Sequence, residues 1–228
     1  MRYNRRITRQ RSQRMTDKKR SILELKISEL QFRLAAMVRL ETSLKNQPLD
    51  APTAWSHGKH EVSYEEIALT RNQADLAADY FERTATYLMA ITIKEALECN
   101  FTNLTNHSDK NVVAAYQIAR MIRNAFAHSP IKPIWRIKGY CRDKEFIVDN
   151  VIALNTRGLD QQPFDWRHYG GLLALFKLSK YVRINLLGDT DIGKKRKIPS
   201  PKNKIIQQGN LILQEVDKIP KGAKRIYF

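Results

Sequence analysis

The chain has 228 residues, 43% of them hydrophobic, and a net charge of +17, enough for one substantial core with appendages. No apolar run approaches the ~20 residues of a membrane span and no apolar leader opens the chain, so a cytoplasmic protein without a membrane partner is expected. The charge sits at the ends, with +8 over residues 1–20, +7 over residues 190–228 and only +2 between them; such arms draw in polyanions by releasing counterions, which favours nucleic acid as partner.

Residues 1–17, with Arg5, Arg6 and Arg9 among small polar residues, have little to bury and are expected to form a flexible basic arm. From Asp17 onward, Leu23, Ile27, Leu30, Leu34, Met37 and Leu44 recur at three- and four-residue steps, which predicts a first helix to about Lys45 with that stripe packed inward. Asn46 to Lys59, with Pro48, Pro52 and Gly58, reads as a loop. His57 and His60 lack the further ligands that a metal site needs. Cys99 and Cys141 form no Cys-x-x-Cys pair, so no metal, disulfide or cofactor is expected.

Ser63 followed by Glu66 has the form of a capping box and predicts a second helix from there to about Glu98. Ser108 or Asp109 can cap a third helix, in which Ala115, Ile118, Ala119, Ile122 and Phe126 share the core side. Arg120, Arg123, Asn124 and His128 fall within an arc of roughly 140° on the other side, with Asn124 one turn before His128. Pro130 disfavours helix at Ser129, so His128 belongs to the last turn, where its ring can face an open cleft.

Arg123-Asn124-x-x-Ala127-His128 at the end of an apolar helix resembles the Arg-x(4–6)-His motif of HEPN domains. The resemblance covers roughly residues 20 to 187 and implies an all-helical antiparallel bundle. Members of that family are commonly metal-independent endoribonucleases, often toxins or antiviral effectors, whose site is completed across a homodimer; others only bind. It implies catalysis by Arg123, Asn124 and His128, with a supporting polar residue on the second helix, for which Glu82 or Asp79 qualifies; ordinary i,i+4 pairing such as Asp79 with Arg83 is the other reading of those acids. One subgroup has a tyrosine two residues after the histidine that its antitoxin nucleotidylates; here Pro130 holds that place, so an antitoxin or regulatory protein would have to act by another route.

After the motif, Ile131 to Ile137 and Lys144 to Leu154 are β-branched and partly alternating, which predicts an antiparallel hairpin inserted over about 131–156, with Trp135 and Phe146 packed on the bundle. Asp165 can start the fourth helix, apolar on most sides through Leu187 and ended by Gly188. Its excess of apolar residues fits either a central helix or a dimer interface. The bundle thus spans 18–189, and a basic tail follows over 190–228, with Lys194, Lys195 and Arg196 and a short hairpin about Gly209-Asn210.

RNA carries its own nucleophile, so a proton-transfer group and a fixed cation suffice for cleavage. His128 can move protons, Arg123 can hold phosphate oxygens, and Asn124 can orient either; Arg120, Arg5, Arg6, Arg9, Lys194, Lys195 and Arg196 are candidate contacts to single-stranded RNA. The competing reading pairs the arginine with acids of a neighbouring helix and leaves a basic-armed, non-catalytic binding or assembly module. A nucleotide-using enzyme is disfavoured by the lack of a Gly-rich phosphate loop, Gly-x-Gly-x-x-Gly or Gly-x-Ser-x-Gly.

Overall fold

The computed structural model describes residues 17–43 and 68–191 with their side chains, and beyond these only the backbone of the elements named below. It is mainly helical: α1 (Tyr3–Arg39), α2 (Arg71–Asn100), α3 (Lys110–Ala127) and α4 (Leu172–Tyr181), with three two-stranded antiparallel sheets. The strands are β1 (Ala54–His57) with β2 (His60–Ser63), β3 (Glu145–Val148) with β4 (Ile152–Asn155), and β5 (Ile205–Gln208) with β6 (Leu211–Gln214). No helix among the described residues is long and apolar enough to cross a membrane.

The chain divides into two compact units. One holds Met1–Phe32, Arg83–Lys194 and Arg225–Phe228; the other holds Arg33–Glu82 and Lys195–Lys224. In the first unit α1 and α4 run antiparallel. Phe32 stacks on Phe176 at 6.0 Å, the buried Arg183 holds Glu29 through two bonds of 3.1 Å, and Lys26 reaches Asp189 at 3.2 Å. Helices α2 and α3 are also antiparallel, with Tyr116 donating to Glu98 at 3.1 Å and Tyr87 stacked on Phe126 at 5.8 Å. Met89, Ile93, Leu97, Ile118, Ile122, Leu175 and Leu178 fill the space between with no exposed surface.

In the second unit Arg39 donates to Asp75 at 2.8 Å and pairs with Asp79 at 3.8 Å, which fastens the end of α1 to the start of α2.

Several expectations are corrected. Helix α1 begins at Tyr3 rather than near Asp17, because arginine and glutamine are good helix formers and no glycine or proline interrupts the segment. The inward stripe of α1 is Leu25, Phe32 and Ala35 with Ser21 and Ser28, whereas Leu23, Ile27, Leu30, Leu34 and Met37 are all exposed. Both stripes repeat at four- and three-residue steps, offset by two residues. The buried stripe is the one that carries the small residues Ser21, Ser28 and Ala35.

The stretch read as a loop contains β1, which pairs with β2 just beyond it, from Ala54 with Ser63 to His57 with His60. Ser63 therefore lies in a strand and does not cap α2. Thr70 does that with the same grammar, its N–H bonding Gln73 Oε1 at 2.8 Å.

After α3, the hairpin forms within 145–155 and leaves Ile131 to Ile137 without a strand partner. Pro133 offers no N–H to a ladder, while Asp149, Asn150 (φ +58°) and Val151 supply a turn in the middle of the predicted second strand. Residues 131–137 instead pass α3 once, Ile134 N–H donating to the Ala125 carbonyl at 3.2 Å, and meet Pro163 at a single bridge. Trp135 is fully buried as expected, and Phe146 is half-buried.

Asp165 caps a single 3₁₀ turn, Trp166–Tyr169, rather than the fourth helix. Gly170 and Gly171, at φ +100° and +92°, break the chain before α4, which ends in a wider π-type turn over Val182–Leu186.

Candidate functional site

The motif helix is fixed at both ends. Asp109 caps α3 by accepting from the Asn111 N–H at 2.8 Å, and His128 occupies the C-cap, where the helical hydrogen-bond pattern stops. Between Asn124 and His128, Phe126 points the other way and is 1% exposed, its ring 4.7 Å from Phe164, which in turn lies 5.1 Å from Trp135. Aromatic packing of this kind resists rotation of the helix end. The polar face of the last turn is therefore held outward.

On that face Arg123 and Asn124 are half-buried and His128 is exposed. The Arg123 guanidinium donates to Asn124 Oδ1 at 3.2 Å, and no carboxylate pairs with it among the described residues. His128 likewise makes no hydrogen bond or ion pair there.

The returning chain builds a second wall. Trp135 and Ile137 are buried and Arg136 and Lys138 exposed, as alternation along an extended segment requires. The Ile137 N–H donates to Asp160 Oδ1 at 2.8 Å, and Arg142 pairs with Asp160 Oδ2 at 2.8 Å.

A cleft of about 430 Å³ results, lined by Arg123, Asn124, His128, Arg136, Ile137, Lys138, Arg142, Asp160 and Gln161. Four permanent cations face one carboxylate, and that carboxylate is already held by Arg142 and a backbone N–H. Such a concave basic surface concentrates positive potential and suits a phosphodiester. A larger groove of about 530 Å³ lies between the β3–β4 hairpin and α4, is lined mainly by apolar residues and contains none of the motif.

The structure thus brings Arg123, Asn124 and His128 together. Arg120 is turned elsewhere: it is half-buried, donates to the Tyr140 hydroxyl and lies 3.3 Å from Cys141 Sγ. Burial raises the pKa of that thiol more than the neighbouring guanidinium lowers it, so Cys141 stays protonated near neutral pH. In the second unit Asp79 is engaged by Arg39 and Glu82 is buried. The side chains of Arg5, Arg6, Arg9, Lys194, Lys195 and Arg196 lie outside the described residues.

Compared with known proteins, the chain matches no family model, no curated protein and no solved structure.

Arg136, Lys138, Arg142 and Asp160 are site residues that the sequence reading missed. The alternation of Arg136 and Lys138 with Trp135 and Ile137 was a usable signal. Nothing local marked Arg142 or Asp160, which reach the cleft through a turn and a loop distant in sequence.

Proposed function

We propose that the chain is a HEPN-like, metal-independent endoribonuclease acting on single-stranded RNA. The observation that carries this reading is one open cleft in which Arg123, paired with no carboxylate among the described residues, and a solvent-reachable His128 lie among further cations. In the reaction, His128 takes the proton of the 2′-hydroxyl, whose oxygen forms a bond to phosphorus as the bond to the 5′-oxygen breaks. The products are a 2′,3′-cyclic phosphate and a 5′-hydroxyl. Arg123 stabilises the charge on the crowded phosphorus, and Asn124 holds that guanidinium in place. Arg136, Lys138 and Arg142 seat the flanking phosphates.

One protomer supplies one histidine, and the leaving 5′-oxygen needs a proton. A two-fold homodimer supplies the second group. The exposed stripe of α1 fits that assembly, because Leu23, Ile27, Leu30, Leu34 and Met37 stand at a/d spacing, which is complementary to itself. Covering about half of each of these side chains on two copies is worth roughly 7–15 kcal/mol gross, of the order of the association cost it must offset.

A toxin or antiviral effector is the biological role that the resemblance brings with it. The same cations would also serve a protein that binds RNA without cutting it, and one experiment separates the two. Purified protein with EDTA present should cut single-stranded RNA, and His128→Ala should abolish cutting while leaving affinity within about threefold. Binding by the native protein without cutting would leave the non-catalytic module.

A further inference from the structure

We infer that Tyr140 is a stacking platform for a nucleobase at the rim of the basic cleft, with Arg120 as its positioning residue. This rests on the reading of the cleft as an RNA site and adds to it the place where a base, rather than a phosphate, is held.

Tyr140 is 51% exposed, more than any other Phe, Tyr or Trp among the described residues. It sits on the 3₁₀ turn Gly139–Cys141, between Lys138 and Arg142, which both line the cleft. With consecutive Cα atoms 3.8 Å apart, neither is more than about 7.6 Å of chain from Tyr140.

An exposed ring is ordinarily free to turn, and this one is tied at two points. Arg120 donates to its hydroxyl, and the guanidinium carbon lies 4.8 Å from the ring centroid. Arg120 is braced in turn, 6.0 Å from the Tyr116 ring and 3.3 Å from Cys141 Sγ. The guanidinium serves the Tyr140 ring and leaves about half of the residue open to solvent.

An ordered aromatic surface with a cation on one side and phosphate-binding cations at its flanks is how proteins hold single-stranded nucleic acid. Because one sugar joins a base to its phosphate, a nucleotide stacked on Tyr140 carries its phosphate toward Lys138 or Arg142. This gives Arg120 a role despite its absence from the cleft lining. It fixes the platform and does not touch the phosphate. Stacking is tolerant of base identity, so the subsite favours an unpaired base over a paired one without fixing its sequence.

The test uses the full chain carrying His128→Ala, so that bound RNA survives. Affinity is measured at several salt concentrations for a single-stranded oligoribonucleotide and for an abasic ribose-phosphate oligomer of equal length. Tyr140→Ala should weaken binding of the base-bearing oligomer about five- to tenfold, leave the abasic one unchanged, and leave the salt slope unchanged because no charge is removed. Tyr140→Phe should stay within about twofold of its parent, and an Arg120→Ala variant should fall between Phe and Ala. An oligomer carrying 2-aminopurine should lose fluorescence on binding the parent and keep it with Tyr140→Ala.

Equal binding of both oligomers by the parent and by Tyr140→Ala overturns the platform while leaving an RNA-binding cleft. If the parent binds neither oligomer, the RNA reading itself falls and the platform with it.

Discussion

Replacing Arg183 with methionine tests how α1 is held against α4. Arg183 is 4% exposed and is bonded to both carboxylate oxygens of Glu29 at 3.1 Å, to Asp189 and to the Asp191 carbonyl at 3.1 Å. Methionine keeps much of the volume and removes the charge. Asp189 retains Lys26 at 3.2 Å, whereas Glu29, buried itself, keeps the Ser179 hydroxyl, which donates to it at 3.1 Å. Truncating one partner of a buried pair costs about 3–5 kcal/mol, and the remaining Ser179 bond places this variant at the lower end, near 3 kcal/mol.

In urea, with a slope of about 1–3 kcal/mol/M, the unfolding midpoint of the first unit should fall by roughly 1–3 M. Adding Glu29→Leu to Arg183→Met removes the orphaned charge and should recover most of the loss, since exchanging a buried pair for apolar groups is often neutral. A single variant within about 0.5 kcal/mol of wild type, or a double variant no better than the single one, would refute the account. It would mean that Glu29 finds water or another partner at no cost.

The same network sets an acid limb. Burial alone would raise the Asp189 carboxyl, but hydrogen bonds from Arg183, the Asp191 N–H and Lys26 outweigh it and hold its pKa below the ordinary value. A group depressed in the folded state stabilises above its unfolded pKa, and that contribution is lost as pH falls through the folded one. Asp189→Asn should therefore lower stability at neutral pH and flatten its fall below about pH 4; an unchanged acid limb in a pH series of thermal midpoints would count against it. At the α1 stripe, Ile27→Glu with Leu30→Glu changes side chains already 46% and 62% exposed, so the protomer should fold normally. Sedimentation should then show a monomer in place of a dimer, with RNA cutting lost and RNA binding kept. A wild-type protein that already sediments as a monomer would remove the composite-site argument.

Much of the helical fold was legible. Helix α3 could be read at both ends because Asp109 and Pro130 act within one turn of the residues they stop or start. The start of α2 was ambiguous for the same local reason. Ser63-x-x-Glu66 and Thr70-x-x-Gln73 have one grammar, and only the pairing of β1 with β2 decides between them. The break before α4 was missed by a reading that started the helix at Asp165, although Gly170-Gly171 marks it, since two successive residues at positive φ cannot continue a helix.

The inward face of α1 was not legible in principle. Two apolar stripes offset by two residues satisfy helical periodicity equally, and the larger side chains of Leu23, Ile27 and Leu30 made the outward stripe look like the core. What chooses between them is the partner surface, where Phe176 and Arg183 on the α4 side meet Phe32 and Glu29. A glutamate on the seam of an isolated helix looks like a solvated face, and only the guanidinium opposite makes it a buried one.

The site divides along the same line. The candidate trio Arg123, Asn124 and His128 lies within one helical turn and a half, so periodicity alone could gather it. The cations that turn a motif into a cleft arrive by tertiary return, through the Ile134 bond to the Ala125 carbonyl and the Asp160 bond to the Ile137 N–H. That dependence has a consequence for the chemistry. Asp160 fixes Arg142 and the backbone of the second wall together, so the one carboxylate lining the cleft among the described residues pairs with Arg142 rather than Arg123. In the proposed reaction Arg123 is left to the phosphate, because the acid that lines the cleft is occupied in holding the wall upright.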